Sequence, residues 1–355
     1  MRAVAHTAWG VESMVGRLSR RAFVRGALCL GGSLAGLSLS TGCATPPRLP
    51  FAQPLQPMRL GVITATSRPA EENTLHGFFG RAEELGWRVG HNLVVEERWG
   101  NGRRDALVPL AIELAQLPVD VVIAGGTAAV QAAKQATTTI PIVMTGLASD
   151  PVANGLVASL ARPGGNISGV GSVHPLLSTK CLEALVGVVP DLKRVAVLAT
   201  TTNPSKPQNV ALIQAAAEPK GIELQIVDFT VADLSPAFDA ARNWPAQALL
   251  VIGDAELNNT RHAVVAQIDE LHLPAIFSDR LWVDAGGLMS YGYDPVESWR
   301  RGADYVDKIL RGASPADLPV ELPTTFVFAV NLKAAHGLGQ TLAPELAAQV
   351  TAWVE

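Results

Sequence analysis

The stretch VDVVIAGGT, residues 119–127, decides the fold of this chain. Its apolar run predicts a buried strand over Val119–Ala124, and the two glycines that follow end the strand. We expect a helix over Thr127–Ala136 with Thr127 as its N-cap, and then a second strand over Ile140–Met144. Strand, helix and strand in this order are typical of a parallel sheet covered by helices.

The same alternation extends outward from this stretch and restarts once, which predicts two α/β lobes with parallel sheets. The first lobe takes residues 58–172 and the second takes residues 173–291. We expect residues 296–317 to return to the first lobe, and residues 318–355 to add a C-terminal strand and helices packed on the lobes. Separate sheets require three crossings between the lobes, at Gly- and Pro-rich joints that can act as hinges. These crossings are expected near Ser168–Pro175, Tyr291–Pro295 and Asp317–Pro323.

Residues 1–43 have the features of an export leader. Ser19-Arg20-Arg21-Ala22-Phe23 matches the twin-arginine pattern. The apolar segment over residues 26–39 is too short and too weakly apolar for a membrane-spanning helix. We therefore expect a periplasmic or otherwise extracytoplasmic protein, whose translation starts at Met1 or at Met14.

The leader ends at Gly42-Cys43, the position at which a bacterial lipoprotein receives its lipid on the cysteine sulfur. Ser40 stands where such sites usually carry leucine, so both a lipid anchor on Cys43 and a free periplasmic protein stay open. Residues 44–57 contain five prolines and predict an extended tether between the leader and the folded part.

Composition and motifs exclude several classes of function. The chain has a formal net charge of −4, and the leader holds five arginines against one glutamate, so the folded part is acidic and poorly suited to nucleic acid. No nucleophile elbow, phosphate-binding loop, dinucleotide-binding glycine pattern or zinc motif is found, and no two histidines are spaced as metal ligands. We expect no metal and no cofactor.

Small and hydroxylated residues follow the predicted strands at their carboxyl ends in both lobes, where open parallel sheets bind ligands. Backbone N–H groups at helix starts, beside Ser or Thr hydroxyls, hold a carboxylate well, and an Asp from another loop can balance an ammonium group. The alternative is that these residues are ordinary caps and turns. The candidate ligand-binding residues are Thr66, Ser67, Gly126, Thr127, Ser149, Asp150, Thr202, Asn203, Asp254 and Asp279.

Asp150 and Asp254 are the strongest acidic candidates, since Asp279 is also placed to cap the helix that follows it. Glu71 opens a predicted helix, where a carboxylate suits the positive helix end better than an acid/base role. Trp282 and Tyr291 flank a strand end and are candidates to line the pocket, with core packing as the alternative. Cys181 is interpreted as a buried small apolar side chain.

Several longer segments of the sequence resemble one known family. They include the run Arg162-Pro163-Gly164-Gly165-Asn166, the run Asp284-Ala285-Gly286-Gly287-Leu288-Met289-Ser290-Tyr291-Gly292, and Tyr305-Val306-Asp307-Lys308-Ile309-Leu310-Arg311-Gly312. From about Met58 to its end, the chain is similar to ABC transporter substrate-binding proteins, the group that includes tryptophan-binding lipoproteins.

The resemblance implies a type I periplasmic-binding-protein fold, in which two Rossmann-like lobes joined by three crossings close on a small solute. It also implies a monomeric, non-catalytic protein that delivers a solute, such as an amino acid, to an ABC permease in the membrane. The loop Thr202-Asn203-Pro204 and the stretch after Asp254 depart from the family pattern and leave the identity of the solute open. Two alternatives stay open from the residues: an enzyme exported by the twin-arginine route, and a ligand-sensing module for a membrane receptor.

Overall fold

The computed structural model describes residues 57–147, 149–171 and 177–355. The leader over residues 1–43, Cys43 with its expected lipid, and the tether up to residue 56 lie outside the described residues. These three expectations therefore stay predictions.

Twelve strands and eleven helices alternate along the described chain. The strands are β1 Met58–Thr64, β2 Leu93–Trp99, β3 Val121–Gly125, β4 Ile142–Thr145, β5 Ile167–Gly169, β6 Arg194–Thr200, β7 Glu223–Phe229, β8 Ala248–Val251, β9 Ala275–Phe277, β10 Met289–Gly292, β11 Val327–Asn331 and β12 Ala352–Val354. The helices are α1 Glu72–Glu84, α2 Leu107–Gln116, α3 Thr127–Ala136, α4 Leu177–Val188, α5 Lys206–Ala217, α6 Ser235–Asn243, α7 Arg261–Leu271, α8 Arg280–Asp284, α9 Pro295–Leu310, α10 Leu332–Gly337 and α11 Pro344–Ala347.

The first sheet is fully parallel and has the strand order β2-β1-β3-β4-β5. β3, the strand from which the sequence analysis started, is buried along its whole length. A strand with helices on both faces of its sheet needs such a continuous apolar run, because no side of it meets water. The loops at the carboxyl ends of β1, β3 and β4 therefore emerge at one edge of this lobe.

The second sheet has the order β12-β11-β10-β9-β8-β6-β7. Its strands are parallel except at β10 and β11, which pair antiparallel. The C-terminal segment also ends in a strand, β12, which pairs with β11, where a helical tail had been expected. A three-residue strand is too short to show its period in the sequence.

The chain passes between the two sheets three times. It leaves the first sheet after β5, returns through α9 after β10, and re-enters the second sheet at β11. α9 packs its buried face, including Trp299 and Val306, into the core of the first lobe beside β3. The prediction of two α/β lobes joined by three crossings is confirmed.

Among the described residues, no helix is both long enough and apolar enough to cross a lipid bilayer.

Candidate functional site

The loops at the carboxyl ends of the two sheets face each other across a cleft between the lobes. The cleft encloses a cavity of about 140 Å³, close to the roughly 150 Å³ of a cavity that takes up a benzene molecule. Both lobes line it, the first with the loops after β1 and β3 and the second with the loops after β6, β8 and β9. This is the place where open parallel sheets bind their ligands.

Glu71 brings a buried carboxyl group to this cavity from the first lobe. It precedes α1, only 7 % of it is exposed, and its two carboxylate oxygens accept hydrogen bonds from the hydroxyls of Thr66 (2.9 Å) and Thr74 (2.5 Å). Burial raises the pKa of Glu71, while the two hydroxyls and the charge of Arg261 oppose the rise. The carboxyl group is thus held in one orientation at the cavity wall.

Asp279 brings a second buried carboxyl group from the second lobe. It is the N-cap of α8, where one carboxylate oxygen accepts the N–H of Leu281 (3.0 Å) and the other accepts the hydroxyl of Ser278 (3.1 Å). Burial raises the pKa of Asp279 to about 6, a rise to which the charge of Glu71 adds and which the hydrogen bonds and Arg261 oppose. The expected capping role of Asp279 is confirmed, and the same carboxyl group also lines the cavity.

Glu71 and Asp279 face one cavity from opposite lobes, and in the described part of the chain neither takes part in an ion pair within 4.0 Å. Arg261 acts on both only at longer range. A buried carboxylate without a counter-ion is costly, so the arrangement favours a positively charged group placed between them.

The N-termini of two regular helices also open on the cavity, α3 from the first lobe and α5 from the second. The first N–H groups of a helix have no partner inside the helix and attract anions. At α5, however, Pro207 has no N–H and the N–H of Lys206 donates to the carbonyl oxygen of Asn203 (3.1 Å), so the start of α3 is the better anion site. Thr127 at the start of α3 and Ser205 at the N-cap of α5 approach each other, with their hydroxyl oxygens 3.5 Å apart. The two helix ends therefore converge from opposite lobes.

Thr127 is not the N-cap of α3, so that prediction is wrong. The N-cap is Gly126, whose φ of +85° is a conformation that favours glycine. Thr127 is the first helical residue, and its hydroxyl lies 3.0 Å from that of Ser149.

A second pair of acidic residues closes one side of the cleft. The guanidinium of Arg104, from the first lobe, lies 2.6 Å from the carboxylate of Asp254 and 3.3 Å from that of Glu256, both in the second lobe. The backbone N–H of Arg104 also donates to Glu256 (2.9 Å). Thr200 and Thr202 donate their hydroxyls to Asp254 and Glu256, respectively. These contacts join the two lobes directly.

Ser67 and Asn259 form a further contact between the lobes. The backbone N–H and the hydroxyl of Ser67 both donate to Asn259 Oδ1, each over 2.9 Å. Asp150 contributes in another way, since its N–H donates to Gln208 on α5 (3.2 Å) while its carboxylate accepts N–H groups of its own turn. The cleft is therefore closed in this structure.

Aromatic and apolar side chains form the remaining wall of the cavity. Trp299 is 3 % exposed and packs so closely on Gly125 that a Cβ there would lie 2.7 Å from its ring. Tyr291, Tyr293 and Cys181 also line the cavity. Burial raises the pKa of the Cys181 thiol to about 12, so this group is an uncharged part of the wall, as the interpretation of Cys181 as a buried apolar residue predicted.

The ten candidate residues divide into two equal groups. Those that line the cavity are Gly126, Thr127, Asn203, Asp254 and Asp279. Those that support the cleft from outside the cavity are Thr66, Ser67, Ser149, Asp150 and Thr202. Thr66 acts through Glu71, Ser149 through Thr127, and Thr202 through Glu256.

Glu71 and Arg104 are cleft residues that the sequence patterns did not predict. Glu71 follows β1 by seven positions, within the loop that a carboxyl-end rule would include. Its neighbour Glu72 is exposed, and the sequence Glu71-Glu72 does not show which of the two carboxyl groups is buried. Arg104 pairs with a residue 150 positions away, which no local pattern reveals.

Among the described residues, no group of three or more His, Cys, Asp or Glu side chains is arranged to hold a metal ion.

Two parallel-sheet lobes that close on a cavity at their carboxyl ends define a solute-binding protein of the periplasmic type. Residues 59–353 match the family described as ABC transporter substrate binding protein, and the chain belongs to that family. The resemblance noted in the sequence is thereby confirmed.

Known relatives agree in fold and differ widely in sequence. A tyrosine-binding protein of Clostridioides difficile is 26 % identical over 263 residues, which cover 74 % of this chain and 75 % of that protein. The crystal structure of an ABC domain from Streptococcus pneumoniae in complex with L-Trp is 22 % identical, with a TM-score of 0.78 over 84 % of this chain and 100 % of that chain. A conserved domain protein from Vibrio cholerae is 25 % identical, with the same TM-score and the same coverage. The type I fold is confirmed by these neighbours.

Proposed function

We propose that this protein binds an aromatic L-amino acid in the cleft and passes it to an ABC permease for import. The observation that carries the proposal is the pairing of charges in one cavity: two buried carboxyl groups, Glu71 and Asp279, and the converging N-termini of α3 and α5. A zwitterion matches both, since its ammonium group suits the carboxyl groups and its carboxylate suits the N-terminus of α3.

The cavity wall supports an aromatic side chain. Trp299, Tyr291 and Tyr293 provide ring surface beside the polar groups of the cavity. A tyrosine-binding relative and an L-Trp-bound neighbour agree with this class of solute. An aromatic acid without an amino group fits less well, because Glu71 and Asp279 would stay buried without a counter-ion.

The proposal also covers where the protein lies in the cell and how it acts there. The leader supports export to the periplasm, where Cys43 would carry a lipid and the proline-rich tether would give the folded part reach from the membrane. The protein would act as a monomer, without a cofactor and without catalysis. Incorporation of labelled palmitate that is lost in Cys43→Ser tests the anchor, and uptake of labelled solute that is lost on deletion of the gene tests import.

The binding step is tested by isothermal titration of the full chain with L-tyrosine, L-tryptophan and L-phenylalanine. Tyramine lacks the carboxylate and 3-(4-hydroxyphenyl)propionate lacks the ammonium group, so each probes one half of the charge pattern. We expect at least one of the three amino acids to bind, and both analogues of tyrosine to bind at least about tenfold more weakly than tyrosine, since each loses a charge-assisted hydrogen bond. If none of the three amino acids binds, the proposal fails. If the propionate binds as well as tyrosine, the assignment of Glu71 and Asp279 to an ammonium group fails.

A further inference from the structure

The two carboxyl groups come from different lobes and line one cavity in the closed cleft. Glu71 precedes α1 and Asp279 caps α8, and both line the same cavity at exposures of 7 % and 8 %. They are close enough that the charge of Glu71 acts on Asp279. Closure of an empty cleft thus brings two acidic groups together in a place with little water.

The other charged and titratable groups around this pair leave its negative charge largely unbalanced. Arg261 at the start of α7 is the cation that acts on both carboxyl groups. Arg104 lines the cavity but contacts Asp254 and Glu256. The thiol of Cys181 is uncharged, and Thr66, Thr74 and Ser278 contribute hydroxyl groups only.

We propose that Glu71 and Asp279 form a proton-exchanging pair: the closed, empty cleft holds one proton on the pair, mainly on Asp279, and an incoming ammonium group replaces that proton. The proposal rests on the proposed function, because it needs a solute with an ammonium group. The balance is simple. The O–H bond of the Asp279 carboxyl group breaks, its proton leaves to the solvent, and the ammonium group enters with all three of its own hydrogens. The pair and the ammonium group together then carry the same net charge as the singly protonated pair did.

This exchange makes solute capture sensitive to pH. Burial raises the pKa of Asp279 to about 6, so below this pH the proton must be displaced before the ammonium group can bind. Affinity should then rise with pH by up to about tenfold per pH unit and level off above the pKa, as linkage requires for one proton. An aromatic amino acid is a zwitterion throughout the range from about pH 4 to 7, so the solute adds no titration of its own. Acidification outside the cell would weaken retention of the solute.

Isothermal titration in buffers of different ionisation enthalpy tests the exchange directly, because it counts the protons released per molecule bound. The probe is whichever of L-tyrosine, L-tryptophan and L-phenylalanine binds the full chain most tightly. At about pH 5.5 we expect a release approaching one proton, and near pH 8 a release close to zero. The deaminated analogue 3-(4-hydroxyphenyl)propionate should release none at either pH.

Two variants locate the proton. Asp279→Asn keeps an acceptor for the N–H of Leu281, and it should abolish the release while the amino acid still binds through Glu71. Burial is the main cause of the raised pKa of Asp279, and Glu71→Gln removes a charge that adds to it, so the midpoint of the release should move to somewhat lower pH. Asp284→Asn, in the same helix but exposed and paired with Arg280 (3.3 Å), is the matched control and should release protons as the unaltered protein does.

The outcomes separate this inference from the proposed function. Binding of an amino acid without proton release at any pH overturns the exchange and leaves the proposed function intact. Release that persists in Asp279→Asn overturns the assignment to this residue. Failure of all three amino acids to bind overturns the proposed function and the exchange together.

Discussion

Four buried carboxyl groups lie in one cleft, and they form two pairs with opposite surroundings. Asp254 and Glu256 contact the guanidinium of Arg104, whereas Glu71 and Asp279 accept hydrogen bonds from hydroxyl and N–H groups. None of the four is more than 9 % exposed. The difference teaches that burial alone does not decide what a carboxyl group does. Where the protein supplies the cation, the carboxylates join the lobes, and where it does not, they suit a cation that arrives with a solute.

Removal of the Arg104 side chain should have the largest effect, because it takes the counter-ion from two carboxylates at once. Breaking a buried ion pair costs about 3–5 kcal/mol. The Arg104 side chain is 18 % exposed, so water offsets part of this cost. We expect Arg104→Ala to weaken binding of the aromatic amino acid about 30- to 100-fold, since each factor of ten is about 1.4 kcal/mol. Isothermal titration measures the affinity, and small-angle X-ray scattering measures the closed fraction.

Arg103→Ala is the matched control for this variant. Arg103 precedes Arg104 directly and pairs only with the exposed Asp105 at 3.6 Å, a contact worth at most about 1 kcal/mol. If Arg104→Ala bound and closed as Arg103→Ala does, the contact with Asp254 and Glu256 would not contribute to closure.

Glu71→Gln should have the next largest effect on affinity. It alters the other pair of carboxyl groups, Glu71 and Asp279. The amide keeps the shape of the side chain but loses the charge that faces the ammonium group. Hydrogen bonds to charged groups contribute about 1.5–3 kcal/mol, so we expect affinity to fall about tenfold or somewhat more. Titration at neutral pH measures this loss. Glu72→Gln changes the exposed neighbour and should bind as the unaltered protein does; an equal loss in both variants would remove Glu71 from the site.

Much of the fold was predictable from the sequence, because its signals are local. The helix α3 has the predicted bounds Thr127–Ala136, and the strands β3 and β4 overlap the predicted strands over Val119–Ala124 and Ile140–Met144. Thr127 shows the limit of this reasoning. Its residue type suits an N-cap, yet the N-cap of α3 is Gly126, one position earlier, whose φ is positive.

The location of the candidate site was predictable from the sequence, but the contacts of its residues were not. The rule that ligands bind at the carboxyl ends of parallel strands selected loops that line the cavity, and half of the ten candidate residues line it. The division of the acidic residues into two pairs was not predictable, because it depends on contacts between lobes such as Arg104 with Asp254. Asp150 shows the same limit: its carboxylate accepts N–H groups of its own turn, a geometry that the letters do not contain.

Asp279 should also lower the stability of the ligand-free protein at neutral pH. Its pKa of about 6 in the folded chain lies above its ordinary value of 3.8, so the folded protein binds more protons than the unfolded chain between these values. Its contribution to stability is therefore complete below about pH 4 and is lost as the pH rises through about 6. Asp279→Asn should then be more stable than the unaltered protein near pH 7.5 by about 1–2 kcal/mol.

Thermal unfolding at about pH 3 and about pH 7.5 measures this difference. The gain should vanish at the lower pH, where Asp279 is protonated in both the folded and the unfolded chain. For Asp284→Asn, the difference in stability from the unaltered protein should not change with pH. A gain of the same size at both values would mean that the amide improves the α8 cap and that the charge of Asp279 is not involved.

Ser67→Ala should give the smallest effect, although it also alters a contact between the lobes. Asn259 Oδ1 accepts two donors from Ser67, and the substitution removes the hydroxyl but leaves the backbone N–H in place. A neutral hydrogen bond contributes about 0.5–1.5 kcal/mol, and the remaining donor keeps the acceptor satisfied, so affinity should fall only about two- to threefold. Titration of Ser67→Ala beside Arg104→Ala compares a neutral contact with a charged one across the same cleft. If the two variants lost equal affinity, closure would depend on the number of contacts between the lobes, and the charge on Asp254 and Glu256 would have no special part in it.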